Sequence, residues 1–499
     1  MAESFQHAGH SDFDQTSAQF IKWFTEADGT RWSSKVQLQD LRNENAGRGA
    51  VATAEIAEDE ELFAVPRSLV LTTTTSNVPP TAIQPLEETG TWPPLIVTII
   101  YEYLKKDDSP WHAYFKVLPT TFDTLMFWNS AELAELQASA VVQKIGRQQA
   151  EESWRETIIP VMLAHPDQFP VPGATPVERT VELIKLAHMA GSLIMAYAFD
   201  IDRDDTRTNN DDNDDNDDDN SSGDNFEEDD EDEPFKGMVP FADMLNADAD
   251  RNNARLFQES DYLIMRATRP ISTGEQIFND YGPLPRSDLL RMYGYITDNY
   301  SQYDVVEISH DLLVDVAGKK HNQENKAWLK REEQLDELGL VDDGYVVHRP
   351  EPNAQRLDDV LPGQLHMLLR ALCTHDNDAR AIKKPKDAIT IEEAALLQAV
   401  LTKRLTEYST SYEADQAICE ALQSDSPSTV VPLSCHHRRY LMAVQVRMGE
   451  KEILRQWITL CQFHIKQKSE EMASGSSKRK YDATTGFQSK QAAKKEKHR

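Results

Sequence analysis

The stretch GEQIFNDYG (residues 274–282), continued by PLPRSDLLRMYGY to residue 295, decides how the rest of the chain is read. An apolar run of strand character ends in Asn279-Asp280-Tyr281-Gly282, and one short helix later Tyr293-Gly294-Tyr295 repeats the Tyr-Gly pair. A tyrosine that closes a strand serves as packing, as a hydrogen-bond handle or as a reacting-site hydroxyl. Taken alone, the stretch leaves all three open.

Three further segments precede it. NAGRGAVA (residues 45–52) puts two glycines in a turn before a strand. MAYAFDI (195–201) ends a helical pattern, and MVPFADMLNADADRNNARL (238–256) carries Asp243, Asn246 and Ala247. Gly47 and Gly49 suit an ordinary turn, Asn246 a turn cap, and Tyr281 a strand-end anchor. No single segment identifies a site.

Around these segments the hydrophobic period changes several times. Residues 1–30 hold one amphipathic helix, SAQFIKWFTEA. Short β segments follow, with Pro66 stopping ELFAVP. From about residue 94 to 191 apolar residues recur at the three-to-four spacing of helices. The tract at about 200–234 is predicted to be a disordered insert, because residues 200–233 hold 19 Asp/Glu, 2 Arg and very few apolar side chains. β pieces then resume up to Gly282. Residues 301–466 read as mainly helical, and the polar tail 467–499 as disordered and basic. The expected class is therefore α+β: a β-rich domain split by a helical insert, followed by an all-α domain.

Charge narrows the partners. The net charge is −32; the acidic tract and the basic tail, with 10 Lys/Arg against 4 Asp/Glu in residues 466–499, leave the folded body acidic. Such a surface attracts basic partners and repels nucleic-acid phosphate, so no direct nucleic-acid contact is expected. No apolar run approaches the roughly 18–20 residues that span a bilayer, and no membrane association is expected. The N-terminus lacks the basic-then-apolar pattern of a secretory signal. Cys373, Cys419, Cys435 and Cys461 fall 46, 16 and 26 positions apart, which matches neither a zinc ribbon nor a disulfide framework. His436 and His437 do not share a face, so no metal is expected.

Together, and in this order, the four segments resemble the SET-domain lysine methyltransferases. The resemblance is to the branch related to the Rubisco large-subunit methyltransferase, in which a helical insert splits the SET domain, and within it to the fungal ribosomal lysine N-methyltransferase 4 group. It spans roughly residues 31–300, with a helical substrate-binding domain implied for 301–466. It implies S-adenosyl-L-methionine as cofactor and gives the residues roles. Tyr281 is the catalytic tyrosine. Ala46, Gly47, Arg48, Asn246, Ala247, Tyr281 and Tyr293 hold the cofactor, the first three mostly through backbone. Tyr197, Phe199, Asp243 and Tyr295 face the substrate lysine. Where many relatives read Asn-His, this chain reads Asn246-Ala247, which leaves only backbone groups at the second position.

The reaction sets its own demands. At pH 7 about one lysine in 2,500 is neutral, a deficit of roughly 4.6 kcal/mol for an amine that must attack a methyl group. An apolar channel lowers the amine's pKa, and oriented oxygen dipoles suffice to align the displacement. The expected function is S-adenosylmethionine-dependent lysine methylation of a basic protein, with monomethylation of a large-subunit ribosomal protein implied by the nearest resemblance. The alternatives are a non-catalytic SET module that binds a basic protein, and a methyltransferase of histones or transcription factors. Lys478-Arg479-Lys480 and Lys494-Lys495, 13 residues apart, have the spacing of a bipartite nuclear-import signal. Import machinery is thus an expected partner, and the nucleus, with the cytoplasm as a further site, the expected location.

Overall fold

A computed structural model describes residues 10–44, 46–202, 234–318, 326–337, 339–342, 344–351, 353–354, 356–374, 388–423 and 431–495. The expected acidic insert lies almost wholly outside the described residues, and so does Asn45. The chain divides into two compact units. The first comprises residues 1–127, 145–283 and 289–295; the second comprises 128–144, 284–288 and 296–499.

The first unit is built on two four-stranded sheets. One runs β1 (Arg31–Trp32), β4 (Glu61–Pro66), β9 (Tyr262–Ala267) and β8 (Ala254–Gln258), all antiparallel. The other runs β2 (Val36–Asp40), β3 (Arg48–Ala52), β10 (Gln276–Asn279) and β7 (Asn246–Ala247), its last pair parallel. A hairpin-like pair, β5 (Ala198–Ile201) with β6 (Phe235–Met238), flanks the acidic tract. β4 reads ELFAVP and is buried along nearly its whole length, as a strand covered on both faces should be. An aromatic nest binds the sheets to the first helix, His10–Glu26: Phe241 meets Trp32 edge-on at 4.4 Å and Phe63 at 4.8 Å, with Phe20 and Phe24 fully buried beside them.

The insert is helical but not continuous. Its longest helix, Pro176–Tyr197, starts at a capping box in which Thr175 and Glu178 satisfy each other's backbone N–H groups, with proline at the first turn. Gly146, at φ +64°, precedes helix Arg147–Glu156 and breaks the run that the sequence pattern carries through it. Residues 128–144, from the middle of the expected insert, belong to the second unit.

That unit is helical with one exception. β11 (Val305–Ser309) pairs with β12 (Gly344–His348) in register, so the all-α expectation for 301–466 is corrected to helices plus one two-stranded sheet. The reason is local: VVEIS and GYVVH alternate buried and exposed residues with the strand period of two. Its core gathers Leu365, Leu368, Leu369, Leu397, Leu401 and Trp457 from three helices. The last helix runs His437–Lys495, so the backbone stays helical where the sequence reading expects a disordered tail. No proline follows Pro432, and nothing there enforces a stop.

Candidate active site at the end of β10

β10 is placed by Asn253, a fully buried side chain. Its Oδ1 accepts the Phe278 N–H at 2.8 Å, and its Nδ2 donates to the Gln276 carbonyl at 2.9 Å. Past the strand end, Asp280 Oδ1 accepts the Gly282 N–H at 2.8 Å and its Oδ2 accepts from Asn252 at 2.6 Å. This turn, closed by a side chain and completed by Gly282 at φ +73°, fixes the direction in which Tyr281 projects. The NDYG motif is thus a strand end, a side-chain clasp, the tyrosine and a left-handed exit.

The second Tyr-Gly pair comes back to meet the first. Helix Arg286–Tyr293 ends with Tyr293, whose ring stacks on Tyr281 with centroids 4.3 Å apart and planes 8° apart. Tyr295 meets Tyr293 at 6.4 Å and 65°. Between them Gly294 has φ +76°, and a Cβ there would lie 2.8 Å from the Thr124 backbone nitrogen, so glycine is needed for shape as well as conformation. Burial pushes the Tyr281 hydroxyl well above its usual pKa, with further contributions from Tyr295, Tyr293, Tyr197 and Asp243. These four groups therefore lie within electrostatic reach of Tyr281.

Asp243 closes the cluster. It follows Phe241, a fully buried residue held at φ +76°, a strained conformation for a side chain of that size. The aromatic nest around Phe241 holds the loop in that shape. Asp243 is itself buried, and burial raises its carboxyl to about 8 against the opposing hydrogen bonds from Tyr114 and from the backbone N–H groups of Asp243 and Phe241. Tyr114 donates to Asp243 Oδ2, while Oδ1 has no hydrogen-bond partner. Tyr197, at the C-terminal end of its helix, is pushed up to about 12 by burial and by the charge of Asp243. Tyr293 rises to about 12 by burial, with Arg291 pulling the other way.

A second set of groups lies across β2, β3, β10 and β7. Asn246 stands opposite Phe278 in the parallel pair and Ala247 opposite Asn279. Asn246 Nδ2 and Gln276 Nε2 are buried and without hydrogen-bond partners, and both lie 2.8 Å from where a Cβ on Gly49 would be. Ala46 and Leu41 close the β2–β3 turn, Ala46 N–H donating to the Leu41 carbonyl and Leu41 N–H to that of Gly47. Gly47 is open, with nothing near its missing Cβ. Arg48 turns its guanidinium to Thr16 Oγ1 at 2.8 Å, Ser17 Oγ at 3.0 Å and the face of Phe13, so it fastens the first helix to β3. A cleft of about 320 Å³ on this sheet is lined by Leu41, Val51, Gln276 and Phe278 among others. Another, of about 360 Å³, is lined by Arg67, Thr72 and Phe235 and includes none of the tyrosines.

Comparison with known proteins decides the family. Residues 47–282 match the SET domain, and residues 322–454 match the Rubisco LSMT substrate-binding domain. The chain is 31% identical over 473 residues to ribosomal lysine N-methyltransferase 4 of Saccharomyces cerevisiae, covering 89% of this chain and 91% of the relative. The chain belongs to the SET-domain protein-lysine N-methyltransferases. Human N-lysine methyltransferase SETD6 is similar at 27% identity, over 83% of this chain and 84% of that protein. In fold, the SET-domain structure of LSMT bound to lysine and AdoHcy superposes with a TM-score of 0.63 at 19% identity, covering 92% of each chain.

In this methyltransferase the structure gathers Tyr281, Tyr293, Tyr295, Tyr197 and Asp243 into one cluster. Asn246, Ala247, Ala46, Gly47 and Arg48 fall on the neighbouring sheet and its turn. Phe199 lies on β5, opposite Gly237 and packed on the core. Sequence reasoning misses Tyr114, Gln276 and Asn253. Tyr114 lies in WHAYF, where only its place in an apolar helical stretch is visible; its partner is 129 residues away.

Proposed function

We propose that this chain transfers a methyl group from S-adenosyl-L-methionine to a lysine of a basic protein, with a large-subunit ribosomal protein as the target class and one methyl added. The observation that carries the reading is the tyrosine cluster at the end of β10, within a chain that belongs to this family. When bound, the cofactor supplies an electrophilic methyl on a sulfonium sulfur.

The residues suit such a ligand. Asn246 Nδ2 and Gln276 Nε2 are buried donors awaiting an acceptor, next to Gly49, whose missing Cβ leaves them room, and Gln276 also lines an open cleft. Gly47 leaves its backbone accessible. Arg48 contributes backbone alone in this reading, since its guanidinium is already engaged. Tyr281, desolvated and held protonated, offers an oriented hydroxyl dipole where the methyl passes, and Tyr293 keeps its ring in place. Tyr197, Tyr295 and Asp243 wall the place of the target amine; a desolvated amine sheds its proton more readily than one in water.

Support for the target class is the named activity of the yeast relative together with the acidic body of the chain, which suits a basic partner. The basic pairs at 478–480 and 494–495 support entry into the nucleus, where ribosomal subunits are assembled.

The test is labelled S-adenosylmethionine incubated with the protein and an extract of cells lacking the endogenous enzyme. A single labelled band among large-subunit ribosomal proteins, shown to be monomethyl-lysine by mass spectrometry, is expected. Labelled histones would redirect the target. Cofactor binding without any labelled protein would favour the non-catalytic module, to which Ala247 in place of the usual histidine gives its support.

A further inference from the structure

Among the buried polar groups of the first unit, the hydrogen bond between Tyr114 and Asp243 gives the carboxyl a fixed orientation. Tyr114, from the short helix His112–Phe115, is fully buried and donates its hydroxyl hydrogen to Asp243 Oδ2. Its ring is packed against Phe20 at 6.0 Å and Trp23 at 6.4 Å, so the phenol has little freedom to turn away. The second carboxyl oxygen, Oδ1, is buried and unpartnered. A core carboxyl held only for structure is normally satisfied at both oxygens, because an unpaired buried acceptor costs about 1–3 kcal/mol. Here one oxygen is clasped and the other is left for something that arrives.

We infer that Tyr114 is a positioning residue that holds Asp243 so that its Oδ1 takes the proton from the target lysine's ammonium before methyl transfer. The inference rests on the lysine-methylation reading. One N–H bond of the ammonium breaks, its electron pair stays on nitrogen, and the proton joins Oδ1. The amine then attacks the methyl group, the methylated product leaves as an ammonium, and the carboxylic acid returns its proton to water. One proton is released for each methyl transferred, so the charges balance without another reactant.

The surroundings agree with this role. The groups acting on Asp243 are Tyr114, from its own helix; the backbone N–H groups of Asp243 itself and of Phe241; Tyr197, from the end of helix Pro176–Tyr197; and Tyr281, beyond β10. None of these is a cation. Burial brings the carboxyl to about 8, close to the range of a desolvated lysine, and a small proton-transfer gap is what an efficient acid–base pair requires. The phenol of Tyr114, pushed well above its usual value by burial and by Asp243, stays protonated and keeps donating. That donation favours the ionised carboxylate, so its loss would raise the Asp243 pKa further.

The experiment compares wild type, Tyr114→Phe and Asp243→Asn. It follows methyl transfer to extracted large-subunit ribosomal proteins from about pH 6.5 to 9.5, a range bracketing the amine and carboxyl. Tyr114→Phe keeps the packed ring. Its kcat/KM profile is expected to move up by about one pH unit, making it roughly tenfold slower at neutral pH and near normal in alkali. Asp243→Asn is expected to lose about a hundredfold or more at every pH. In parallel, the infrared carbonyl band of the protonated acid should titrate in the enzyme alone, vanish in Asp243→Asn and titrate at higher pH in Tyr114→Phe. A Tyr114→Phe profile lowered uniformly without a shift, an infrared band that does not move, or an Asp243→Asn variant within a few-fold of wild type overturns the proton step alone. Wild-type protein that labels nothing, neither in these proteins nor in the whole extract, sinks the methyl-transfer reading, and the proton step with it.

Discussion

Two buried aspartates, one in each unit, are held in opposite ways. In the second unit, Asp415 is fully buried and surrounded: Arg447 donates from Nε at 3.1 Å and from Nη2 at 3.0 Å, Thr410 donates at 2.8 Å, and Lys451 adds its ammonium. Asp304 is treated alike by the backbone N–H, Nε and Nη2 of Arg286. In the first unit Asp243 receives one side-chain donor, Tyr114, with weaker help from the backbone N–H groups of Asp243 and Phe241, while Asn246 and Gln276 each bury an amide that donates to nothing. A network whose members are all paired behaves as scaffold. Unpaired buried polar atoms persist where a ligand supplies the missing half.

The comparison breaks most sharply at Tyr281. Its hydroxyl is aimed by the Asp280 clasp and the Tyr293 stack, and neither needs the oxygen. Tyr281→Phe should therefore leave the melting temperature unchanged and lower kcat by at least 10²–10³-fold, roughly the worth of one preorganised polar group. Turnover close to wild type would remove Tyr281 from the chemistry.

Asp415→Asn tests the other side. It leaves Lys451 without its carboxylate and Arg447 with Glu135 alone, both cations almost without exposure. Removing one partner of a buried ionic group typically costs about 3–5 kcal/mol. Urea unfolding should show a loss of that size, while the protein that remains folded binds cofactor normally. A loss under about 1 kcal/mol would mean the network relaxes and is not scaffold in the sense argued here.

Gly49→Ala probes the unpaired amides with less force. The new Cβ would fall 2.4 Å from Leu41 Cδ1 and 2.8 Å from both amide nitrogens, so side chains must shift. Calorimetry with S-adenosylmethionine should show binding weakened about tenfold, the value of one or two displaced hydrogen bonds. Unchanged affinity would separate those amides from the cofactor.

How much of this was legible in the sequence follows from the range of each contact. The short apolar runs of β3, β4, β9 and β10 and the glycine turns are local, and they carried the fold class together with the ordered series of motifs. Tyr281, Tyr293 and Tyr295 lie within 15 residues of one another, and their meeting could be anticipated from two Tyr-Gly pairs flanking one helix. Tyr114 could not. Its bond to Asp243 spans 129 positions, and no periodicity encodes a contact of that range. The same holds for Glu132, Glu135 and Ser139 of the insert, which bond to Arg439, Arg447 and Glu450 some 300 residues on. Helical period predicted their segment as part of one insert; pairing of distant charges assigned it to the other unit.

Glu450 offers the finest version of the contrast, because it is paired yet still strained. Ser139 Oγ and Tyr408 Oη each donate to it at 2.6 Å, one to each oxygen, but burial still pushes the carboxyl up to about 7. Tyr408, Arg404 and Asp304 are the ionisable groups acting on it; the arginine lowers its pKa and the aspartate raises it. An unfolded glutamate titrates near 4.3, so between about pH 4.3 and 7 the folded chain holds a proton that the unfolded chain has released. Stability from this group is thus fully present below about pH 4, falls as pH rises and levels off above 7. The steepest slope is about 1.4 kcal/mol per pH unit. Glu450→Gln cannot titrate, and its stability relative to wild type should improve as pH rises from about 5 to 7.5, the window of that transition. Thermal melts at the two ends read this as a difference of differences, which cancels any constant cost of exchanging an oxygen for an amide. Equal offsets at both pH values would show that Glu450 is ionised throughout, and that even two hydroxyl donors suffice to make a buried carboxylate part of the scaffold.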